Sequence, residues 1–320
     1  MFSSNEEIIK NLKSEDWVKR FIACKSAGDQ KLKNAAHALI ELLDDDNVQV
    51  RIAAVSALKA IPDKRHAEHL IRALADSSEW VRVHAVEALG LIGEKKHVEL
   101  LSQFLENEES DKVRATLIKV LGELGGDKVL PVLLLYLKDK NARVRANSVE
   151  AVENLAGTDE KTIKQHLLPL LNDENNRVKA NSIKALFKTG ESQVCEVLQN
   201  MTTSKDDWMR ASAAYVLGVI DYDKSVMLLM EFLNDECWFV VKNAVKALVK
   251  KSKEALPELE KALNSKGINS RFKTNIITVL GEIGNGECLK LLILMLNDEN
   301  GDVRQYAEAT IDKIEKNTAK

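Results

Sequence analysis

Proline is scarce in this chain, four residues in 320, and no stretch rich in Pro, Gly or Ser divides it. That absence removes any obvious linker, so one domain spanning 1–320 is expected although the length alone would allow two. Aromatic residues are also few, at 5%, while apolar residues make up 45%. The core must therefore be built from Leu, Val, Ile and Ala, which suits closely packed helices and not sandwiches or barrels. No run alternates apolar and polar residues in the way a strand does. The four cysteines (Cys24, Cys195, Cys237, Cys288) lie far apart and form no CxxC. This excludes a disulfide framework and a zinc site, and reduced thiols in a cytoplasmic protein are the expectation. No charge of one sign dominates: 46 basic against 49 acidic residues leave a net −3. Such a balance supplies no field for nucleic acid, whose phosphates call for a markedly basic face. Long apolar runs are missing too, the stretch 129–137 being about half of a membrane span. The N-terminus, Met1-Phe2-Ser3-Ser4-Asn5-Glu6-Glu7, has no basic segment followed by an apolar one, so no signal peptide is expected.

What is present is a repeat. An apolar residue, a basic residue, then small and apolar residues at helical spacing recur down the chain, most clearly as Val81-Arg82 leading to Ala85-Val86-Glu87-Ala88-Leu89. The basic position falls at Lys19, Arg51, Arg82, Arg114, Arg145, Lys179, Arg210, Lys273 and Arg304, with Val241 in its place in the eighth copy. Spacings of 31 to 34 residues identify a tandem array. Each copy reads as two helices. Helix B buries positions −1, +3, +4, +6 and +7 from the basic residue, for example Val144, Ser148, Val149, Ala151 and Val152, the stripe of an amphipathic helix. Helix A is Leu-rich. Gly28-Asp29, Gly93-Glu94, Gly126-Asp127, Gly190-Glu191 and Gly286-Glu287 are read as the stops between B and the next A. The expected fold is all-α, a right-handed α-solenoid of about ten two-helix repeats, because one such hairpin covers its apolar stripe only against its neighbours.

The period, the acid–turn–Val-Arg–Ala–Leu-Gly pattern and segments such as Val81 to Gly93 resemble HEAT repeats of the phycobilisome-lyase type over nearly the whole chain. The resemblance implies the fold strongly and a function only weakly.

Six residues before the basic position an acid recurs, at Asp45, Asp76, Glu108, Asp139, Asp173, Asp235 and Asp298. We expect it to cap helix B and to meet the guanidinium of its own or a neighbouring turn, forming a structural ladder with Arg51, Arg82, Arg114, Arg145, Arg210 and Arg304. The ladder has gaps: Lys13, Ser204 and Gly267 stand at the acid position of copies one, seven and nine. Copies seven and eight also hold Met201, Met209, Met227 and Met230 and the apolar run Cys237-Trp238-Phe239-Val240-Val241. Between copies five and six the spacing widens around Gly157-Thr158-Asp159, and Pro169 falls inside a helix A, where it should kink the helix. A change of curvature near 157–170 is expected there. Pro131 and Pro257 sit nearer helix starts, where proline is tolerated.

Two residues before the ladder position stand Trp17, Trp80, Trp208 and Phe239. Each ring either covers a neighbouring turn or, in copies seven and eight, belongs to a partner-binding patch of Trp208, Tyr215, Trp238 and Phe239. Positions +2 and +5 of helix B point away from the apolar stripe and are expected to line a concave face. They include Asn147, Asn181 and Asn243, able to bond the peptide groups of a ligand or of their own neighbours, and Lys184 and Lys246. Lys184, Lys188, Lys242, Lys246 and Lys250 read as a solvated face or a site for an acidic peptide.

His66, His69, His84 and His97 cluster in sequence, but no His-Glu dipeptide occurs, so the resemblance does not extend to the HEAT-repeat di-iron hydroxylases. There is no GxGxxG, Walker, GxSxG or HExxH motif. No catalytic residue, cofactor or metal is expected. The expected role is a non-catalytic scaffold that holds a protein or peptide on its concave face, monomeric unless its partner is a second copy. A bilin-lyase-like subunit and a nucleic-acid binder of the HEAT-like glycosylase type are the alternatives, the first resting on the repeat class alone and the second on the tryptophans.

Overall fold

The computed structural model describes residues 4–318 apart from 127, 158 and 266, so Asp127 and Thr158, read above as turn residues, lie outside it. Among the described residues all regular structure is helical, and the fold is an all-α solenoid. The helices are α1 (Asn5–Leu12), α2 (Trp17–Asp29), α3 (Ala36–Glu41), α4 (Val48–Ala60), α5 (Ala67–Ala73), α6 (Glu79–Ile92), α7 (Val98–Asn107), α8 (Asp111–Leu124), α9 (Val129–Tyr136) and α10 (Ala142–Ala156). They continue as α11 (Glu160–Leu167), α12 (Asn176–Phe187), α13 (Ser192–Thr202), α14 (Asp207–Leu217), α15 (Ser225–Phe232), α16 (Trp238–Lys250), α17 (Ser252–Leu263), α18 (Ser270–Ile283), α19 (Gly286–Met295) and α20 (Gly301–Thr318). Odd-numbered helices are the A members of the hairpins and even-numbered helices the B members. The contacts divide the chain into two compact units, 1–166 and 167–320. In each, successive B helices pack on one another and A helices pack on their own B, as α1 does on α2, α9 on α10 and α19 on α20.

The apolar stripe of helix B makes the core. Val144, Ser148, Val149, Ala151 and Val152 of α10 are all buried. Full burial of a Val or Leu side chain is worth about 1.5–3 kcal/mol, and the same stripe is buried in α4, α6, α8, α12 and α16. Small residues let these helices approach closely. Gly122 of α8 lies where an added Cβ would meet the Ala151 Cβ at 2.5 Å, and Gly218 of α14 stands in the same relation to Ala247, at 2.7 Å.

Two sequence readings of glycine are corrected. Gly28 is not a stop: it lies inside α2, and a Cβ there would meet the Cα of Ala57 at 3.1 Å. Gly286 is the first residue of α19, and the preceding helix ends instead on Gly284, whose φ of 66° is the left-handed C-cap conformation.

The first repeat is also corrected, by one residue. Arg20, not Lys19, holds the ladder position: its Nε and Nη2 reach Asp45 at 2.6 and 3.0 Å, and its Nη1 reaches the carbonyls of Ser14 and Glu15. Counting from Arg20 puts Ala23, Cys24, Ser26 and Ala27 at the buried positions, and all four are buried. Cys24 is thus a core residue, and burial, followed by the nearby Asp45 charge, pushes its thiol up to about 12. Prolines behave unequally. Pro257 lies within α17, which continues through it. Pro169 opens the 3-10 helix Leu168–Asn172 that follows α11.

The ladder has a defined wiring. Four further guanidinium groups donate forward to the acid of the next turn: Arg51 to Asp76 at 2.8 Å, Arg82 to Glu108 at 2.8 Å, Arg114 to Asp139 at 3.2 Å and Arg210 to Asp235 at 2.7 Å, while Lys273 meets Asp298 at 2.7 Å. A guanidinium at this position also donates to the main-chain carbonyls of its own turn, as Arg145 does to Asp139 and Arg304 to Asp298. The acid accepts from the amide two residues on; Asp45, Asp139, Asp173 and Asp298 take those of Asn47, Asn141, Asn175 and Asn300. Those asparagines, not the acids, cap helix B: Asn47 Oδ1 accepts from Gln49 N and Asn141 Oδ1 from Arg143 N.

This wiring unites two gaps. The eighth repeat lacks its cation at Val241, and the partner position in the ninth is Gly267, which lacks the anion. Both ends of one rung are missing together.

Candidate protein-binding patch

Of the four rings singled out in repeats seven and eight, Trp208, Trp238 and Phe239 come together at the N-terminal ends of α14 and α16, whereas Tyr215 lies near the other end of α14. Asp206 caps α14 by accepting from Trp208 N at 2.9 Å, which turns the indole outward at the first turn. Its ring stacks on Phe239 with centroids 4.4 Å apart, and Trp238 meets Phe239 edge-on at 6.0 Å. Lys242, one turn along α16, holds its ammonium 5.5 Å from the Trp238 ring centre. Trp208 is 63% exposed and Trp238 68%, far above what a core ring shows. Tyr215, two turns along α14 from Trp208, is 43% exposed. Asn176 of α12 fixes the Trp208 backbone, donating to its carbonyl at 3.1 Å and to Ser212 Oγ at 2.6 Å. Nothing in the sequence pattern marked Asn176, and Lys242 was marked only as one of a file of lysines, not as a neighbour of Trp238.

The other tryptophans differ in their surroundings. Trp80 is covered by Lys112 of the following repeat, 4.5 Å from its ring centre, and Lys112 in turn bonds Glu79 at 2.6 Å. Trp17 is 43% exposed and, counted from Arg20, stands one residue outside this column, which Val18 holds in the first repeat. At this column of side chains the ring of one repeat is met by the residue of the next: Lys112 over Trp80, Phe239 against Trp208. After Phe239 the column reaches Arg271, which is diverted to the carbonyls of Asp235 and Glu236.

The asparagines lie deeper. Asn147 is buried and its amide donates to the Ala115 carbonyl at 2.8 Å, and Asn181 is buried as well. Asn243 is half-buried and donates to the Ala211 carbonyl at 3.1 Å. Asn147 and Asn243 thus join a B helix to the one before it. Lys184 is half-buried, whereas Lys246 is exposed.

The A helices of the same region frame a cleft of about 690 Å³ between α15, α17 and the start of α18. Met227, Met230, Ile268 and Phe272 form its apolar surface. Gly267, the vacant end of the missing rung, lies on its wall. Met201, by contrast, is buried in the core.

The family models for HEAT repeats match residues 5–82, 67–153, 148–218 and 201–271. The chain belongs to the HEAT-repeat family. Of solved structures, the HEAT chain is similar to one in which Kap95p binding induces the switch loops of RanGDP to adopt the GTP-bound conformation. That match has 15% identity, covers 98% of this chain and 50% of that one, and has a TM-score of 0.56. An engineered protein is 20% identical over 97% of this chain and 98% of its own, with a TM-score of 0.42. Human deoxyhypusine hydroxylase in complex with glycerol is 19% identical over 91% and 99%, with a TM-score of 0.37. The first of these likenesses speaks to the fold alone. No protein with a curated description matches the sequence.

Among the described residues of this HEAT array, no three His, Cys, Asp or Glu side chains group so as to hold a metal ion. No described helix is long and apolar enough to cross a membrane. His66 and His97 are buried at the start of A segments, where Ala35, Val129, Val194 and Cys288 stand in other repeats.

Proposed function

We propose that this HEAT-repeat protein is a non-catalytic interaction scaffold, and that a protein partner docks on the B-helix face of repeats seven and eight. The observation that carries the reading is the exposed Trp208–Phe239–Trp238 cluster. Two indoles more than half exposed, one stacked on Phe239 and the other edge-on to it, offer contact area of the kind that dominates protein interfaces. The tryptophan at the equivalent position of the third repeat, Trp80, is already engaged by Lys112. Within the HEAT class, the 31-to-32-residue period and the Val-Arg–Ala–Leu-Gly pattern support the phycobilisome-lyase-like subtype. A monomer presenting one such face is the simplest assembly.

The test uses the purified full-length chain to capture partners, each of which is then expressed and titrated against wild type and the double variant Trp208→Ala/Trp238→Ala. A Kd raised at least about tenfold, with unchanged circular dichroism, is the expected result. Equal affinity for both proteins overturns the assignment of the patch. Absence of any purified protein that binds the chain overturns the scaffold role.

A further inference from the structure

The charged residues beside the aromatic cluster define what kind of segment it takes. Helix α16 carries Lys242, Lys246 and Lys250 at four-residue intervals, all exposed, in line with Trp238. Among the described residues no carboxylate is paired with any of the three. In a chain with a net charge of −3, an unpaired file of cations is a local departure from balance. The +5 position of helix B shows the same departure: it is Lys246 here, while in the first unit it holds Glu87 and Glu150 against Lys119.

Residues four apart on a helix rise by about 6 Å. Alternate residues of an extended chain advance by about 6.5 Å. A file of lysines at i, i+4 and i+8 therefore matches every second side chain of an extended peptide laid along α16. The aromatic end takes a different residue. Asp206 and Glu236 each stand two residues before an exposed indole, and they disfavour a carboxylate there while leaving the rings free for an apolar contact.

We infer that the partner supplies an extended segment with an aromatic or apolar anchor at the Trp208–Trp238 end and acidic residues at alternate positions running along Lys242, Lys246 and Lys250. This rests on the scaffold reading and names the chemistry of its ligand. Single-stranded nucleic acid also combines stacking with negative charge. The peptide fits better, because the stacking platform is bordered by carboxylates and the nearby arginines are spent: Arg210 on Asp235 and Asp207, Arg271 on main-chain carbonyls.

Fluorescent synthetic peptides decide the matter. One has a terminal phenylalanine followed by glutamate at every second position. A second has the same composition with the glutamates clustered, a third replaces glutamate by glutamine, and an oligothymidylate serves as the rival ligand. The alternating acidic peptide is expected to bind the full-length protein more tightly than the other three, and less tightly as salt rises. Lys242→Glu/Lys246→Glu should weaken it about tenfold while Lys242→Arg/Lys246→Arg retains it. Equal binding of the glutamine peptide, still lost in Trp208→Ala/Trp238→Ala, overturns the acidic inference and leaves the patch intact. Tighter binding of the oligonucleotide overturns it in favour of nucleic acid. Failure of every peptide overturns it too, and the capture experiment above then judges the scaffold role separately.

Discussion

The guanidinium of Arg271 donates to the main-chain carbonyl of Asp235, a residue of the preceding repeat's turn. Elsewhere that carbonyl is served from within its own repeat, as Arg51 serves Asp45 and Arg82 serves Asp76. The eighth repeat has Val241 where its arginine should be, so the turn takes a donor from the ninth.

Arg271→Ala should therefore cost about 1 kcal/mol, the modest figure expected for a charge-assisted bond at an exposed turn. Val241→Arg should recover most of that loss in the Arg271→Ala background and do little in the wild type. Urea denaturation of the four proteins checks the pattern, and additive effects would show that the two side chains do not share the turn.

His97 sits in the core with both ring nitrogens lacking a hydrogen-bond partner. Val129 and Val194 fill the same place in other repeats. Replacing the ring by valine removes two unsatisfied polar atoms, and His97→Val should raise stability by about 1 kcal/mol. A melting temperature at or below wild type would contradict this.

Acid should unfold the protein in two stages. Burial alone would raise the carboxyls of Asp45, Glu108, Asp235 and Asp298, but the ladder cation and a turn amide outweigh it and hold each below its ordinary value. A depressed folded-state value means that the stability is complete above the unfolded value of about 4 and is lost as pH falls through the folded one. His66 is lowered as well, by burial foremost, so its neutral form is favoured in the fold and stability begins to fall below about pH 6.5. His66→Ala should flatten the first stage only. Urea midpoints between pH 7 and pH 3 report both.

Gly122→Ala should destabilise by about 1–3 kcal/mol despite alanine's better helix propensity, because the new methyl meets the Ala151 Cβ at 2.5 Å. The double variant Gly122→Ala/Ala151→Gly should be more stable than the single-site effects add up to. Thermal melts of the set measure the coupling.

The fold was legible because its signal is repeated: Val144, Val149 and Val152 recur in register with the same positions of neighbouring copies, and each copy corroborates the others. The first repeat was misread by one residue because Lys19 and Arg20 are both basic, and the bonds of Arg20 to Asp45 together with the burial of Ala23, Cys24 and Ala27 separate them. The forward direction of the ladder was not legible either. Arg51 lies six residues from Asp45 and 25 from Asp76, and sequence distance favours the wrong carboxylate. At the candidate patch the individual rings could be picked out by column, but their stacking depends on side-chain directions across two helices. Asn147 was open between a ligand contact and a bond to its neighbour, and the structure shows its amide bonded to Ala115.

Because each rung ties a cation in one hairpin to an anion in the next, dividing the array at most seams strands a charge on either fragment. Between Val241 and Gly267 there is no such tie to sever. A fragment pair split in the loop before α17 would leave both halves with their ion pairs complete, and the bonds that cross the seam, such as Arg271 to the Asp235 carbonyl, would guide a two-piece version as it reassembles.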